Sequence, residues 1–154
     1  MTQRLDYEAL APEAVSTLGE VYLYVARSGL DGGLVELVYL RISQINGCAY
    51  CLDLHSQALL TRRVPSRKLA VLQVWREAEG FFSARETAAL AWAETVTCVR
   101  ESGIPDGEFQ RLSGIFTEEE IVDLTVAVGM MNLFNRLAIG FRRAPAPLMK
   151  QEAG

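Results

Sequence analysis

One histidine and three cysteines are all the imidazole and thiol chemistry this 154-residue sequence contains. Three cysteines are too few and too unevenly counted to staple a small secreted domain, and in a reducing compartment a close pair points to catalysis, redox sensing or metal. Positive charge is also in short supply, with 15 Lys and Arg against 19 Asp and Glu and a formal net charge of −4. The arginines are scattered among glutamates, so no basic stripe exists to neutralise a phosphate backbone and nucleic acid is excluded as the expected partner. The opening residues MTQRLDYEAL lack an apolar run after the first basic residue. Neither a secretory signal nor a transit peptide is therefore expected, and the expected location is cytoplasmic. No segment alternates apolar and polar residues between hairpin turns, so strands are not expected. Repeats, low-complexity tracts and internal linkers are missing as well.

What is present is apolar content at helical period. Half of the residues are hydrophobic and 22% are charged, a balance incompatible with a disordered chain. At this length it gives one domain whose core removes roughly 70% of the unfolded surface from water. The fold class read from the spacing is all-α. One helix starts at Pro12 and ends at Gly29; a second carries Leu34, Leu37, Val38, Ile42 and Ile45 and stops at Asn46-Gly47; a third begins with Cys48 and ends before Pro65. Ser66 is expected to cap a fourth through Leu69, Leu72 and Trp75 to Gly80. Ser83 with Glu86, and Thr117 with Glu120, are capping-box pairs that open helices running to Ser102-Gly103 and to Gly140. The acidic run Glu118-Glu119-Glu120 sits favourably at the positive end of a helix dipole. The domain is expected over residues 1–143, with the proline-containing tail 144–154 leaving it or lying loosely on it. Leu124–Phe141 is apolar enough to raise a membrane question, but Asn132, Asn135 and Arg136 interrupt it, so it reads as a buried helix and no membrane is expected as partner.

The chemistry concentrates in Glu36 and in Cys48-Ala49-Tyr50-Cys51-Leu52-Asp53-Leu54-His55. For a helix starting at the first cysteine, about 100° per residue places Cys51 at about 300° and His55 at about 340° from Cys48, one narrow face. Amide groups of the first turn and the helix dipole favour a thiolate there. A thiolate beside an imidazole is a nucleophile near neutral pH, and a second thiol can condense with the sulfenic acid that peroxide attack leaves. Glu36, twelve residues before Cys48, can orient the imidazole if the two helices fold back on each other. The same four side chains could instead be zinc ligands, although no second ligand pair follows downstream. Helix-start geometry alone would make Cys48 the exposed nucleophile.

Glu36, Cys48-x-x-Cys51 and His55, with the phrases LRISQINGCAYC, WREAEGFFSARETAALAWAE and MNLFNRLAIGFRR, resemble the AhpD-like alkylhydroperoxidases of the carboxymuconolactone decarboxylase superfamily, in their small single-core branch. The resemblance covers nearly the whole chain. It implies an antiparallel fold of about six to seven helices assembled as trimers or hexamers. It further implies a thiol peroxidase for organic hydroperoxides or hydrogen peroxide, without metal or organic cofactor, regenerated by an external dithiol such as a lipoyl group or a thioredoxin-like protein. Cys51 then matches the peroxide-attacking cysteine, Cys48 its resolving partner, and Glu36 with His55 the proton relay. Tyr50 stands where characterised relatives can have histidine. The reading from another class is a redox-sensing or interaction protein in which the Cys48–Cys51 bond is a switch. Cys98, Trp75 and Trp92 read as packing residues, and Asn132, Asn135 and Arg136 as polar groups that either bond across a subunit interface, the preferred reading, or cap neighbouring loops.

Overall fold

Nine α-helices and one 3₁₀ segment, without a strand, make up residues 2–147, the part of the chain that the computed structural model describes. The elements are α1 (Tyr7–Leu10), α2 (Pro12–Arg27), α3 (Gly32–Asn46), α4 (Ala49–Thr61), α5 (Ser66–Val71), the 3₁₀ segment Leu72–Glu77, α6 (Ala84–Thr97), α7 (Val99–Ser102), α8 (Asp106–Ser113) and α9 (Glu118–Phe141). Of the expected tail, residues 148–154 lie outside the described part.

The centre is α3. Seven consecutive residues, Leu34 to Leu40, are buried on it, followed by Ile42 and Ser43, so this helix is covered on every side rather than along one stripe. Its neighbours are α4, α6 and α9. Val38, Tyr39 and Ile42 meet Ala89, Trp92 and Ala93 of α6 and Leu124, Ala127, Val128 and Met131 of α9 in the main core. A second cluster joins Leu37 and Leu40 to Leu59, Leu72 and Leu90. Helix α9 is long and apolar enough to cross a membrane by length and composition. Nine of its residues are nevertheless buried inside the fold, Asp123 and Asn135 among them, and it serves as a core helix.

Both capping boxes form: Ser83 with Glu86 and Thr117 with Glu120 exchange side-chain and backbone hydrogen bonds, which satisfies amides that the first helical turn leaves free. Other boundaries differ from the spacing-based expectation. Ser66 is already the first helical residue and caps nothing; Pro65 precedes it, and the helix gives way to the 3₁₀ segment with a kink at Val74. There the Trp75 indole donates to Glu94 Oε1 at 2.9 Å, so Trp75 is partly buried at the edge of the core instead of inside it. Helix α6 stops at Cys98, four residues early, because Ser102 Oγ turns back to the Thr95 carbonyl at 2.7 Å. The short helices α1, α7 and α8 have too few residues for an apolar period to register in the sequence.

Candidate active site

The turn between α3 and α4 sets the geometry. Gly47 adopts φ +72, a left-handed conformation that only glycine takes at no steric cost, and the Cys48 amide returns to the Ser43 carbonyl at 3.0 Å. Helix α4 thus runs back along α3. Glu36 precedes this turn by ~16 Å of helix and His55 follows it by ~12 Å at ~1.5 Å per residue, a difference their side chains span. His55 Nδ1 lies 2.8 Å from Glu36 Oε2. An ionised carboxylate can only accept, so Nδ1 carries the hydrogen of this contact and, in the neutral ring, Nε2 is the nitrogen left to accept.

Both partners are buried, Glu36 to 8% and His55 to 3% exposure. A buried carboxylate needs donors, and Glu36 has a second one: the Tyr22 hydroxyl of α2 donates to its Oε1 at 3.3 Å. Burial and the neighbouring Glu36 charge raise the Tyr22 pKa above the ordinary tyrosine value, so this phenol remains a donor. The Tyr39 ring packs against His55 with centroids 5.2 Å apart. The sequence presents Tyr22 and Tyr39 as ordinary helix-face residues, and no signal in it marks their place beside Glu36.

Cys48 and Cys51 are joined as a disulfide with their Cα atoms 5.4 Å apart. The helix begins at Ala49, so Cys48 is not on its face; it is the cap residue, with φ −87 and ψ 96, and its sulfur accepts from the Cys51 amide at 3.3 Å. Cys51 and His55, one turn apart inside α4, keep the shared face that the spacing implies. They line a cavity of about 160 Å³ with Tyr7, Tyr22, Tyr50, Leu54, Met131, Phe134 and Ala138, and Cys48 is not part of its wall. Arg143 and Glu8 complete the lining. The Arg143 guanidinium lies 4.1 Å over the Tyr50 ring and donates to the Tyr7 hydroxyl at 2.9 Å. Arg142 makes this possible by taking φ 57, so that the Arg143 amide reaches the Ala138 carbonyl at 2.8 Å. Two arginines at a helix end carry no sequence sign of such a role.

Cys98 is a free, partly buried thiol at the end of α6, outside this cavity wall. Among the described residues no group of three or more His, Cys, Asp or Glu is disposed to hold a metal ion.

The amides expected at a subunit interface bond within the chain instead. Asn46 Nδ2 donates to Asn132 Oδ1 and Asn135 Oδ1, each at 2.9 Å; Asn135 Nδ2 donates to Ser43 Oγ at 3.1 Å, and Asn132 Nδ2 to Thr97 Oγ1 at 3.0 Å. Arg136 donates to Asn132 Oδ1 at 3.0 Å. This network ties the end of α3, next to Gly47 and Cys48, to α9. Since Asn135 is fully buried, Asn135→Ala is expected to cost about 1–3 kcal/mol by stranding the Asn46 and Ser43 groups. A urea midpoint unchanged from wild type would contradict that.

Comparisons with known proteins give the family and the fold. Residues 10–95 match the carboxymuconolactone decarboxylase family. The uncharacterised protein YdfG of Bacillus subtilis is 32% identical over 90% of this chain and 94% of its own length. YnjA of Escherichia coli, also uncharacterised, is 34% identical over 71% of this chain and 59% of its own. Among solved structures, a protein of unknown function from Agrobacterium tumefaciens, provisionally described as the antioxidant defence protein AhpD, superposes with a TM-score of 0.91 at 37% identity, covering 96% of this chain and 100% of that one. A peroxidase-related protein from Silicibacter shares the fold at a TM-score of 0.79 and 24% identity, over 90% of this chain and 73% of its own.

Proposed function

The chain belongs to the carboxymuconolactone decarboxylase family and has the AhpD-like fold, and we propose that it is a cysteine-dependent peroxidase for organic hydroperoxides or hydrogen peroxide. The observation that carries this reading is that Cys51 and His55 lie side by side in the wall of an apolar cavity, while Glu36 backs His55 and Cys48 is held within bonding reach of Cys51.

In the reduced protein His55 Nε2 takes the proton of Cys51, and Glu36 holds the resulting imidazolium. The Cys51 thiolate attacks one peroxide oxygen and the O–O bond breaks. The oxygen attacked stays on Cys51 as a sulfenic acid, and the departing alkoxide takes the proton from His55 to leave as an alcohol. The Cys48 thiol then attacks the Cys51 sulfur, the disulfide forms and water departs. An external dithiol, lipoyl or thioredoxin-like, restores the two thiols by exchange. No metal or organic cofactor enters this scheme, and a reducing cytoplasm suits it because such dithiols are maintained there.

The test is turnover. Purified protein given tert-butyl hydroperoxide and excess dihydrolipoamide is expected to consume many equivalents of peroxide per chain. Consumption of a single equivalent would instead mark a disulfide switch, the sensor reading. Both readings use the same pair, but a bond within one helical turn constrains little of the rest of the fold.

We propose further that the chain works as a trimer or hexamer. Val122, Leu133 and Ile139 of α9 are 60%, 40% and 44% exposed in the single chain, apolar surface that a second copy would cover. Light scattering at micromolar concentration is expected to give a multiple of 17.0 kDa, and a monomer mass would refute this assembly.

A further inference from the structure

The cavity that Cys51 and His55 line has an apolar interior, from Leu54, Met131, Phe134 and Ala138, and a volume of about 160 Å³. Apolar cavities of roughly 150 Å³ take up a benzene-sized molecule, so this one suits an organic body of about six carbons. Among the described residues, Arg143 is the one arginine or lysine in its wall. A cation set against apolar surface is costly unless something pairs with it.

The pairing that Arg143 has is incomplete. Its Nη1 donates to the Tyr7 hydroxyl at 2.9 Å and to Glu8 Oε1 at 2.5 Å. Nε and Nη2 form the edge that grips a carboxylate through two parallel bonds, and among the described residues neither has a hydrogen-bond partner. That edge is open rather than sealed in, because the Tyr39 hydroxyl is the only buried side-chain polar atom there without a partner. Glu8 demonstrates that the guanidinium accepts a carboxylate. Its side chain is half-exposed on the four-residue helix α1, however, and an exposed ion pair is weak. The open edge also stands close to the redox pair: the guanidinium lies 4.1 Å over the Tyr50 ring, and Tyr50 packs against Cys48, Cys51 and Ala138.

We propose that Arg143 sets substrate specificity: its open Nε–Nη2 edge binds the carboxylate of a small organic hydroperoxide, whose apolar body fills the cavity and whose peroxide group meets Cys51. This rests on the peroxidase reading and names the substrate class within it. A bidentate arginine–carboxylate contact is directional as well as strong, so an acid group held beside Tyr50 decides which end of the molecule reaches the sulfur. A neutral hydroperoxide enters without that anchor. Glu8 opposes the ligand, since its carboxylate shares the guanidinium and repels a second anion. Removing the Glu8 charge therefore strengthens binding, whereas a clasp that merely fastened α1 to the end of α9 would gain nothing from its loss.

Binding and turnover test this separately. Calorimetry of the disulfide form at neutral pH compares hexanoate with 1-hexanol in wild type, Glu8→Gln, Arg143→Lys and Arg143→Gln, with urea unfolding to check each fold. Wild type is expected to bind hexanoate at least about tenfold more tightly than hexanol. Glu8→Gln is expected to tighten hexanoate by about threefold, Arg143→Lys to keep part of the preference as a point charge, and Arg143→Gln to erase it. Turnover with dihydrolipoamide then compares cumene hydroperoxide with its para-carboxylate. The ratio of their kcat/KM values is expected to favour the carboxylate by about tenfold in wild type and to approach one in Arg143→Gln. Hexanoate bound no more tightly than hexanol by wild type would overturn the proposal, as would a preference undiminished in Arg143→Gln or weakened in Glu8→Gln. Selective hexanoate binding with turnover of neither hydroperoxide would defeat the peroxidase reading and leave the carboxylate site standing.

Discussion

Cys51→Ser is expected to abolish peroxide turnover, by more than roughly 10⁴-fold, the scale on which removal of a nucleophile acts. Cys48→Ser is expected to behave differently: it loses turnover but still reacts once, leaving a sulfenic acid on Cys51 that a dimedone-type reagent traps. The asymmetry follows from placement. Cys51 shares the cavity wall with His55, whereas Cys48 lies outside that wall as the cap of α4. A peroxide in the cavity meets one sulfur and not the other. Mass spectrometry of the labelled peptides decides the order; rapid labelling of Cys48 in the Cys51→Ser protein would reverse the two roles. Thiol counting after mild peroxide is expected to fall by two per chain in wild type and in Cys98→Ser alike, because Cys48 and Cys51 pair with each other while Cys98 is free and outside the cavity wall.

The second large effect belongs to the relay. Glu36→Gln and His55→Gln are each expected to lower kcat/KM by about 10²- to 10⁴-fold, the usual contribution of a positioned acid or base. The double variant is expected to be little worse than either single one, since groups that pass one proton act as a unit. Glutamine is chosen at both positions because truncating one partner of a buried pair costs about 3–5 kcal/mol and would confuse unfolding with lost chemistry. Alkylation of Cys51 against pH reads thiolate formation directly and should slow in both variants at neutral pH. Wild-type alkylation in Glu36→Gln would remove the carboxylate from the mechanism.

Much of this site was legible because it is local. Cys51 and His55 lie one turn apart, and helical period alone puts them on one face. Gly47 needs no tertiary information to end α3, because its left-handed φ is a property of the residue. The two capping boxes are likewise decided within four residues, and both form. The boundaries that differed depend on distant partners. Trp75 reaches Glu94 on α6, and Ser102 turns back to Thr95.

The sequence by itself determined the all-helical class, the stop of α3 at Gly47 and the shared face of Cys51 and His55, since each depends on backbone preference or on spacing within one helix. Only the tertiary structure decided what surrounds them. Tyr22 reaches Glu36 from α2 across the α2–α3 turn, Arg143 folds over Tyr50 from the end of α9, and Asn132 and Asn135 close on Asn46 from 86 and 89 residues away. A polar residue on an apolar helix must find a partner when buried. Its own segment specifies that need, but only the packing of the other helices determines whether the partner comes from the same chain.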